Sequence, residues 1–159
     1  MNERLKVYLD TSVISYLKQD DAPEKTKITN DLWEKFKTGI FDIYFSQVTI
    51  TEMNECPIDK LNVLKNKLEE IQYTKLILNV ECFNLAKEII TIGILTEKSL
   101  DDSYHIATAV VNECDVIVSW NFKHLVNVKT IDGVRAITLL KRYKNINIVD
   151  PLTLLEMEV

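Results

Sequence analysis

Residues 7–12 read Val7-Tyr8-Leu9-Asp10-Thr11-Ser12. The first three are apolar or aromatic in succession, which is typical of a strand buried on both faces of a parallel sheet. The run ends at a carboxylate, and the next two residues carry hydroxyl groups of the kind that begin helices. The stretch therefore predicts a buried strand that places Asp10 at the carboxyl edge of a sheet.

Similar short buried runs return at 43–45, 116–118 and 146–149. The segments between them carry apolar residues at three- and four-residue steps, as amphipathic helices do: Leu61, Leu64, Leu68 and Ile71; Phe83, Ala86 and Ile90; Ile131, Val134, Ile137 and Leu140. Ser99 is placed to cap one more helix, which would run to about Glu113. Strands that alternate with helices predict a three-layer α/β/α fold with a mainly parallel central sheet, as one domain over residues 1–159.

The glycine and cysteine content excludes several kinds of site. Gly39, Gly93 and Gly133 lie far apart, so the sequence holds neither a P-loop nor a Rossmann turn. The three cysteines are widely spaced and form no C-x-x-C pair, which argues against a disulfide framework or a zinc site. The longest uncharged run, Ser103 to Asn112, is half of the roughly 20 residues that a membrane helix needs. With no secretory signal visible, we expect no membrane association and a cytoplasmic location.

The charge is distributed unevenly along the chain. The protein has 19 Lys and Arg against 24 Asp and Glu, a formal net charge of −5. Residues 116–149 nevertheless carry six basic side chains and a single acidic one, Asp132. This segment could present a basic flank to a polyanion, and the alternative is a solvated helix surface.

Polar side chains stand near the ends of the predicted strands. Asp10 closes the first strand, and Glu52 lies six residues after Ser46 on the helix that follows the second. Asp102 opens the helix before the third strand, and Asn121 follows that strand. Each could be only a helix cap or a surface residue. Because ligands bind beyond the carboxyl ends of parallel strands, we expect them to converge there. A cluster of carboxylates repels itself unless a cation neutralises it, and oxygen ligands suit Mg²⁺ or Mn²⁺.

In their order and spacing, these motifs resemble those of the PIN-domain family, the fold of the VapC-type toxins in bacterial toxin–antitoxin pairs. The four matching segments are Leu9-Asp10-Thr11-Ser12-Val13-Ile14, Ser46-x5-Glu52, Asp102-Ser103-Tyr104-His105-Ile106-Ala107-Thr108-Ala109 and Val118-Ser119-Trp120-Asn121-Phe122. The resemblance covers essentially the whole chain. Asp101 competes for the third acidic position, but Asp102 keeps the family's spacing to Ala107. The chain departs from the family at Asn121, where many members carry Asp, and an amide can ligate a hard cation without adding charge.

The resemblance implies a metal-dependent endoribonuclease, the toxin of a type II toxin–antitoxin pair, that leaves a 5′-phosphate and a 3′-hydroxyl. The implied metal ligands are Asp10, Glu52 and Asp102, with Asn121 as a fourth catalytic residue and Mg²⁺ or Mn²⁺ as cofactor. The implied substrate contacts are Thr11, Ser12, Ser119 and Lys123, although capping the first helix is an equally good interpretation of Thr11 and Ser12. The implied partners are RNA, a small antitoxin that inserts into the active-site groove, and a second copy of the chain in a homodimer.

Other interpretations stay open. The site could be degraded at Asn121, which would leave a weak or inactive PIN-fold binding module. An aspartyl phosphoryl-transfer site after the first strand fits less well. A dehalogenase-like enzyme requires a second Asp at the position of Ser12, and a receiver domain requires a paired acid just before its phosphorylated Asp. We expect His105 at the edge of the core or behind the metal ligands rather than as a ligand. Tyr104, Trp120 and Phe122 could stack on RNA bases, with buried packing the favoured interpretation of each.

Overall fold

Five parallel strands form the centre of the described chain, which is residues 3–158 of the computed structural model. Their bounds are β1 (Leu5–Leu9), β2 (Phe41–Ser46), β3 (Thr74–Leu76), β4 (Val116–Val118) and β5 (Asn147–Val149). They lie in the order β3-β2-β1-β4-β5, and each neighbouring pair is parallel. The four predicted strands and the parallel sheet are confirmed. The edge strand β3 was not predicted, because its residues are mostly exposed and form no buried apolar run.

Helices cover both faces of this sheet. In chain order they are α1 (Thr11–Ser15), α2 (Pro23–Lys37), α3 (Gln47–Met53), α4 (Ile58–Glu69), α5 (Val80–Thr91), α6 (Leu100–Val111), α7 (Val128–Lys141) and α8 (Pro151–Glu156). Val7 and Leu9 of β1 point into one core with α1, α2, α4 and α8, whereas Tyr8 points into the other with α5, α6 and α7. The alternation of side chains along a strand thus serves two cores, and the predicted three-layer α/β/α architecture is confirmed.

The predicted helix faces are correct for α4 and partly wrong elsewhere. On α5 the buried stripe contains Cys82 and Ala86, and Phe83 lies exposed beside it. On α7 Val134 and Ile137 are buried, but Leu140 is exposed. Both helices carry apolar residues on more than one side, so spacing alone does not select the face that the sheet covers. Throughout residues 3–158, each helix is too short or too polar to cross a bilayer.

The order of the strands creates a crevice beside β1. The chain runs from β1 outward through β2 to β3, and it then returns to place β4 on the other side of β1. In open parallel sheets such a switch of direction separates the loops at the carboxyl ends of the two central strands, where ligands bind. The pairing of β1 with β4 extends one residue beyond the strands, since the Asp10 amide donates to the Val118 carbonyl at 3.3 Å. Asp10 therefore lies at the switch point.

Candidate active site

Asp10 is the most buried carboxylate of the site, with 4% of its surface exposed. Its Oδ1 accepts hydrogen bonds from the Ser12 hydroxyl at 2.6 Å and the Val13 amide at 3.4 Å, which caps α1. Its Oδ2 accepts from the Ser119 hydroxyl at 2.6 Å. Burial raises the pKa of Asp10, and the positive charge of His105 and the two hydroxyls act against that rise. Asp10 is thus a fixed group that ties the ends of β1 and β4 together.

The two serines that hold Asp10 also hold the segment after β4. The Ser12 hydroxyl oxygen accepts from the Trp120 amide at 2.9 Å, and the Ser119 hydroxyl oxygen accepts from the Asn121 amide at 2.9 Å. Each hydroxyl therefore gives its proton to the carboxylate and accepts a backbone N–H from the segment after β4. Both were predicted as substrate contacts, and in this arrangement their hydrogen-bonding groups position Asp10 and the loop that carries Asn121.

Glu52 lies on α3 and is held from two sides. Its Oε1 accepts from the Thr11 hydroxyl at 2.8 Å and lies 2.8 Å from Nε2 of His105. His105, on α6, is 2% exposed, and its Nδ1 lies 2.6 Å from the Tyr8 hydroxyl. Tyr8 in turn lies 2.9 Å from the Ser46 hydroxyl. A continuous polar chain therefore runs from the end of β2 through β1 and α6 to Glu52.

The charges along this polar chain of side chains favour an ion pair between His105 and Glu52. Burial lowers the pKa of His105, but its hydrogen bond to Glu52 and the surrounding carboxylates raise the pKa overall above its ordinary value. Burial likewise raises the pKa of Glu52, and the hydrogen bond and charge of His105 lower it overall. With both ring nitrogens protonated, His105 donates to Glu52 and to Tyr8, and Tyr8 donates to Ser46. Each polar group in the chain then has a partner.

Asp102 opens α6 and lies on the exposed side of the site. The Asn121 amide approaches its Oδ2 at 3.5 Å, a long contact, and the Asn121 Oδ1 accepts from the His124 amide at 2.9 Å. Burial raises the pKa of Asp102 to about 6, and the negative charges of Asp10 and Glu52 add to that rise, while the two histidines oppose it. The structure thus brings Asp102 to Asn121, and its neighbour Asp101 is exposed.

The predicted cap of α6 differs in detail. Ser99 occupies the N-cap position, but its hydroxyl makes no capping bond and lies 3.3 Å from Nδ1 of His124. The contact links the start of α6 to the loop after β4. It therefore supports the position of Asp102 beside Asn121.

The fit of these carboxylates to a divalent cation has two parts. Their oxygen donors suit Mg²⁺ or Mn²⁺. Burial is the main cause of the raised pKa of Asp102, and the negative charges of Asp10 and Glu52 add to it. Within residues 3–158, however, no three His, Cys, Asp or Glu side chains lie close enough together to form a ready-made ion site. The donor chemistry therefore fits a hard cation, and such an ion would have to draw the side chains closer together.

Half of the basic side chains of segment 116–149 form ion pairs. Three of its six basic side chains pair with acids: Lys141 with Glu88 at 2.6 Å, Lys144 with Asp115 at 2.6 Å and Arg135 with Asp132 at 3.8 Å. Lys123 differs, since it is exposed two residues after Asn121. Of these basic side chains, Lys123 is the one nearest in sequence to Asn121.

Two members of the polar chain were not predicted. Tyr8 was interpreted only as a strand residue, and Ser46 only as a reference point for Glu52. A signal was available for Tyr8, because a tyrosine in a strand buried on both faces needs a hydrogen-bond partner for its hydroxyl. The identity of that partner depends on α6, which packs against the sheet from a distant part of the sequence.

Comparisons with known proteins identify the fold. No family model and no curated protein match the chain. Among solved structures, it is similar to a chain in the crystal structure of VapBC2 from Rickettsia felis bound to a DNA fragment from their promoter. The TM-score is 0.51 at 14% sequence identity, and the match covers 92% of this chain and 98% of the other. The fold is PIN-like. At this level of identity the likeness extends to the architecture, and the role of each side chain rests on the geometry above.

Proposed function

We propose that the chain is a PIN-type endoribonuclease that uses Mg²⁺ or Mn²⁺ and acts in the cytoplasm as the toxin of a type II toxin–antitoxin pair. The observation that supports this most is the position of Asp10 at the switch point of the sheet. Ser119 links Asp10 to the Asn121 amide, and Asn121 contacts Asp102 at 3.5 Å. On the other side, Thr11 donates to Glu52 at 2.8 Å. Three carboxylates from distant segments are thus linked through neighbouring polar groups at the edge where α/β proteins bind ligands.

The side chains would have two roles, holding the cation and orienting the residues that hold it. Asp10, Glu52 and Asp102 would hold the cation, with Asn121 as a neutral fourth group. When bound, such an ion supplies Lewis-acid activation of water and neutralises negative charge on the phosphate. The remaining polar groups keep the ligands in place, since the serines orient Asp10 and the buried imidazole orients Glu52. Residues that hydrogen-bond to metal ligands fix the direction of the ligand oxygens and raise the affinity for the metal.

The proposed partners follow from the fold and the exposed cation. Lys123 would contact a phosphate of RNA beside the cleaved bond. The VapBC2 structure that shares this fold supports a small antitoxin as the protein partner. We further propose a homodimer, with cleavage that leaves a 5′-phosphate and a 3′-hydroxyl.

The deciding test is cleavage of a structured RNA with Mg²⁺ or Mn²⁺ by the wild type and by Asp10→Asn. We expect the variant to lose activity and keep its fold, because the asparagine oxygen can still accept from Val13 and Ser12, and the Ser119 hydroxyl oxygen can accept from the new NH₂ group. The matched control is Asp150→Asn, since Asp150 follows β5 and caps α8 in the same way. Equal RNA degradation by wild type and Asp10→Asn would show that the site is assigned wrongly.

A binding module is the second candidate, because no ready-made ion site exists in the described residues and Asn121 brings no charge. A Mn²⁺ titration followed by thermal unfolding separates the two. At ten times the dissociation constant, an ion that binds only the folded state adds about 1.4 kcal/mol, which is about 4 °C for a chain of this size. We expect this shift for the wild type and its loss in Asp10→Asn. An unchanged melting temperature at millimolar Mn²⁺ would favour the binding module.

A further inference from the structure

Three aromatic rings and one lysine meet directly beside the candidate active site. We call Tyr16, Lys25, Trp120 and Phe122 the aromatic–lysine patch. The ring centroids of Tyr16 and Trp120 are 6.0 Å apart, and those of Trp120 and Phe122 are 6.3 Å apart. The Lys25 ammonium lies 5.4 to 5.8 Å from all three centroids, within the range of a cation–π interaction. The patch therefore combines flat apolar faces with one positive charge.

The base of the patch is rigid. Trp120 is 8% exposed, and its ring N–H donates to the Thr29 hydroxyl of α2 at 2.8 Å. Its backbone amide donates to the Ser12 hydroxyl, which also holds Asp10. The indole is thus fixed to the same hydrogen-bond network as the carboxylate, so the distance between the patch and the site is set by the fold.

Phe122 is the open part of the patch. It is 46% exposed, although a phenylalanine normally gains stability from burial. It follows Asn121 directly, so its ring stands next to the residue that contacts Asp102. Trp120 packs against one edge of the ring and the Lys25 ammonium lies 5.8 Å from its centroid, and the exposed part of the ring is open to a ligand. Buried packing was the favoured interpretation of both aromatic residues. It is correct for Trp120 and wrong for Phe122.

We propose that the aromatic–lysine patch binds one unpaired nucleobase of a single-stranded RNA, with the base stacked on Phe122 and the adjoining phosphate at Lys25. The inference rests on the proposed function for the direction in which the strand continues, toward Asp10 and Asp102. An aromatic face stacks on any base, and a lysine beside it neutralises the backbone, which is the combination that single-strand binders use. A docked protein helix would instead need a wider apolar surface without a cation at its centre.

Binding to the Asp10→Asn protein, in which cleavage is expected to be absent, tests this proposal. The probe is a single-stranded oligoadenylate of about twelve nucleotides, compared with a fully paired RNA duplex of the same length. We expect the single strand to bind more tightly, Phe122→Ala to lose about tenfold in affinity, and Phe122→Trp to retain it. The matched control is Phe83→Ala, which removes a ring that is 43% exposed on α5 and also has an edge-on aromatic neighbour.

The lysine has its own matched pair. Lys25→Gln is expected to weaken binding of the single strand. It should also reduce the slope of log affinity against log salt concentration by about the amount expected for one lost phosphate contact. Lys27→Gln, on the same helix and exposed, should leave both unchanged.

Three results would overturn the proposal: a wild-type patch that binds no single strand, a Phe122→Ala protein that binds as before, or an equal loss with Phe83→Ala. These measurements require no cleavage, so they can fail while the nuclease activity stands, and they can succeed if that activity is absent.

Discussion

The two halves of the carboxylate site differ in how they stabilise a partly buried negative charge. Glu52 is held by a buried histidine of its own chain, and the pKa of Glu52 is lowered despite partial burial. Asp102 faces an amide at 3.5 Å, and burial together with the charges of its neighbours raises its pKa to about 6. We call these the histidine-paired half and the unpaired half.

The difference shows how much of the charge the fold neutralises itself. In the histidine-paired half, one imidazolium offsets one carboxylate, and the polar chain behind it is complete. In the unpaired half, Asp10 receives hydroxyl groups but no cation of its own, and Asp102 receives only a neutral amide. Negative charge therefore remains on the side that is open to a ligand, which is where an added cation would stabilise the protein most.

The unpaired half is expected to give the largest effect. Asp102→Asn should reduce metal-dependent RNA cleavage by at least about a hundredfold, because even the partners that support metal ligands are worth 10- to 100-fold. Initial rates on a structured RNA at saturating Mn²⁺ measure this loss. The fold should survive, since the exchange removes a charge that is destabilising in its present surroundings.

Asp101→Asn provides the control at the adjacent position. Asp101 is exposed and precedes Asp102 directly on α6, so the two variants have the same composition and net charge. We expect Asp101→Asn to cleave at nearly the wild-type rate. A loss of equal size in both variants would mean that the general charge of the helix start matters, rather than a specific ligand.

The histidine-paired half is expected to give the largest change in stability. His105→Gln should lower the free energy of unfolding by about 2 to 3 kcal/mol, because it leaves the Glu52 charge and the Tyr8 hydroxyl without their shared partner. Urea unfolding at pH 7 measures this. The comparison variant is His124→Gln, at a partly exposed histidine whose ring contacts the Ser99 hydroxyl, and it should cost only about 1 kcal/mol.

A second substitution distinguishes a charge pair from simple packing. If the pair carries the cost, adding Glu52→Gln to His105→Gln should restore part of the stability, with a coupling energy of about 1 to 2 kcal/mol. Strictly additive losses would show that His105 acts only by filling space.

The architecture could be predicted from the sequence because buried parallel strands have a distinct pattern. The runs around Tyr8, Tyr44 and Ile117 are apolar on both faces, and β1, β2 and β4 lie there. The strand β3 could not be found in this way, since an edge strand of three mostly exposed residues is stabilised by pairing with β2 rather than by its own side chains. Helix α2 was also not singled out, because many polar residues separate its few buried ones.

The site could be predicted only as a set of residue types. Their positions near the predicted strand ends, together with the family resemblance, selected Asp10, Glu52 and Asp102 as candidates, and the strand order puts the ends of β1, β2 and β4 at one edge of the sheet. The partners of each could not be predicted, because they depend on side-chain directions across distant segments. His105 is 53 residues from Glu52, and Ser119 is 109 residues from Asp10. Whether the carboxylates bind metal stays a prediction.

The smallest expected effect is the pH dependence of the unpaired half. Because the folded-state pKa of Asp102 is about 6 and its ordinary value is 3.8, the folded protein holds a proton that the unfolded chain releases between these values. The contribution of Asp102 to stability is therefore lost as the pH rises through that window. At pH 7 without metal, the free energy of unfolding of Asp102→Asn should be higher than that of the wild type by about 1 kcal/mol. The effect is small because water screens this partly exposed group, and the difference should vanish near pH 4. Urea unfolding of both proteins across this range measures the difference, with Asp101→Asn expected to follow the wild type. A variant that is less stable than the wild type at pH 7, with a deficit that shrinks toward pH 4, would mean that folding lowers the pKa of Asp102.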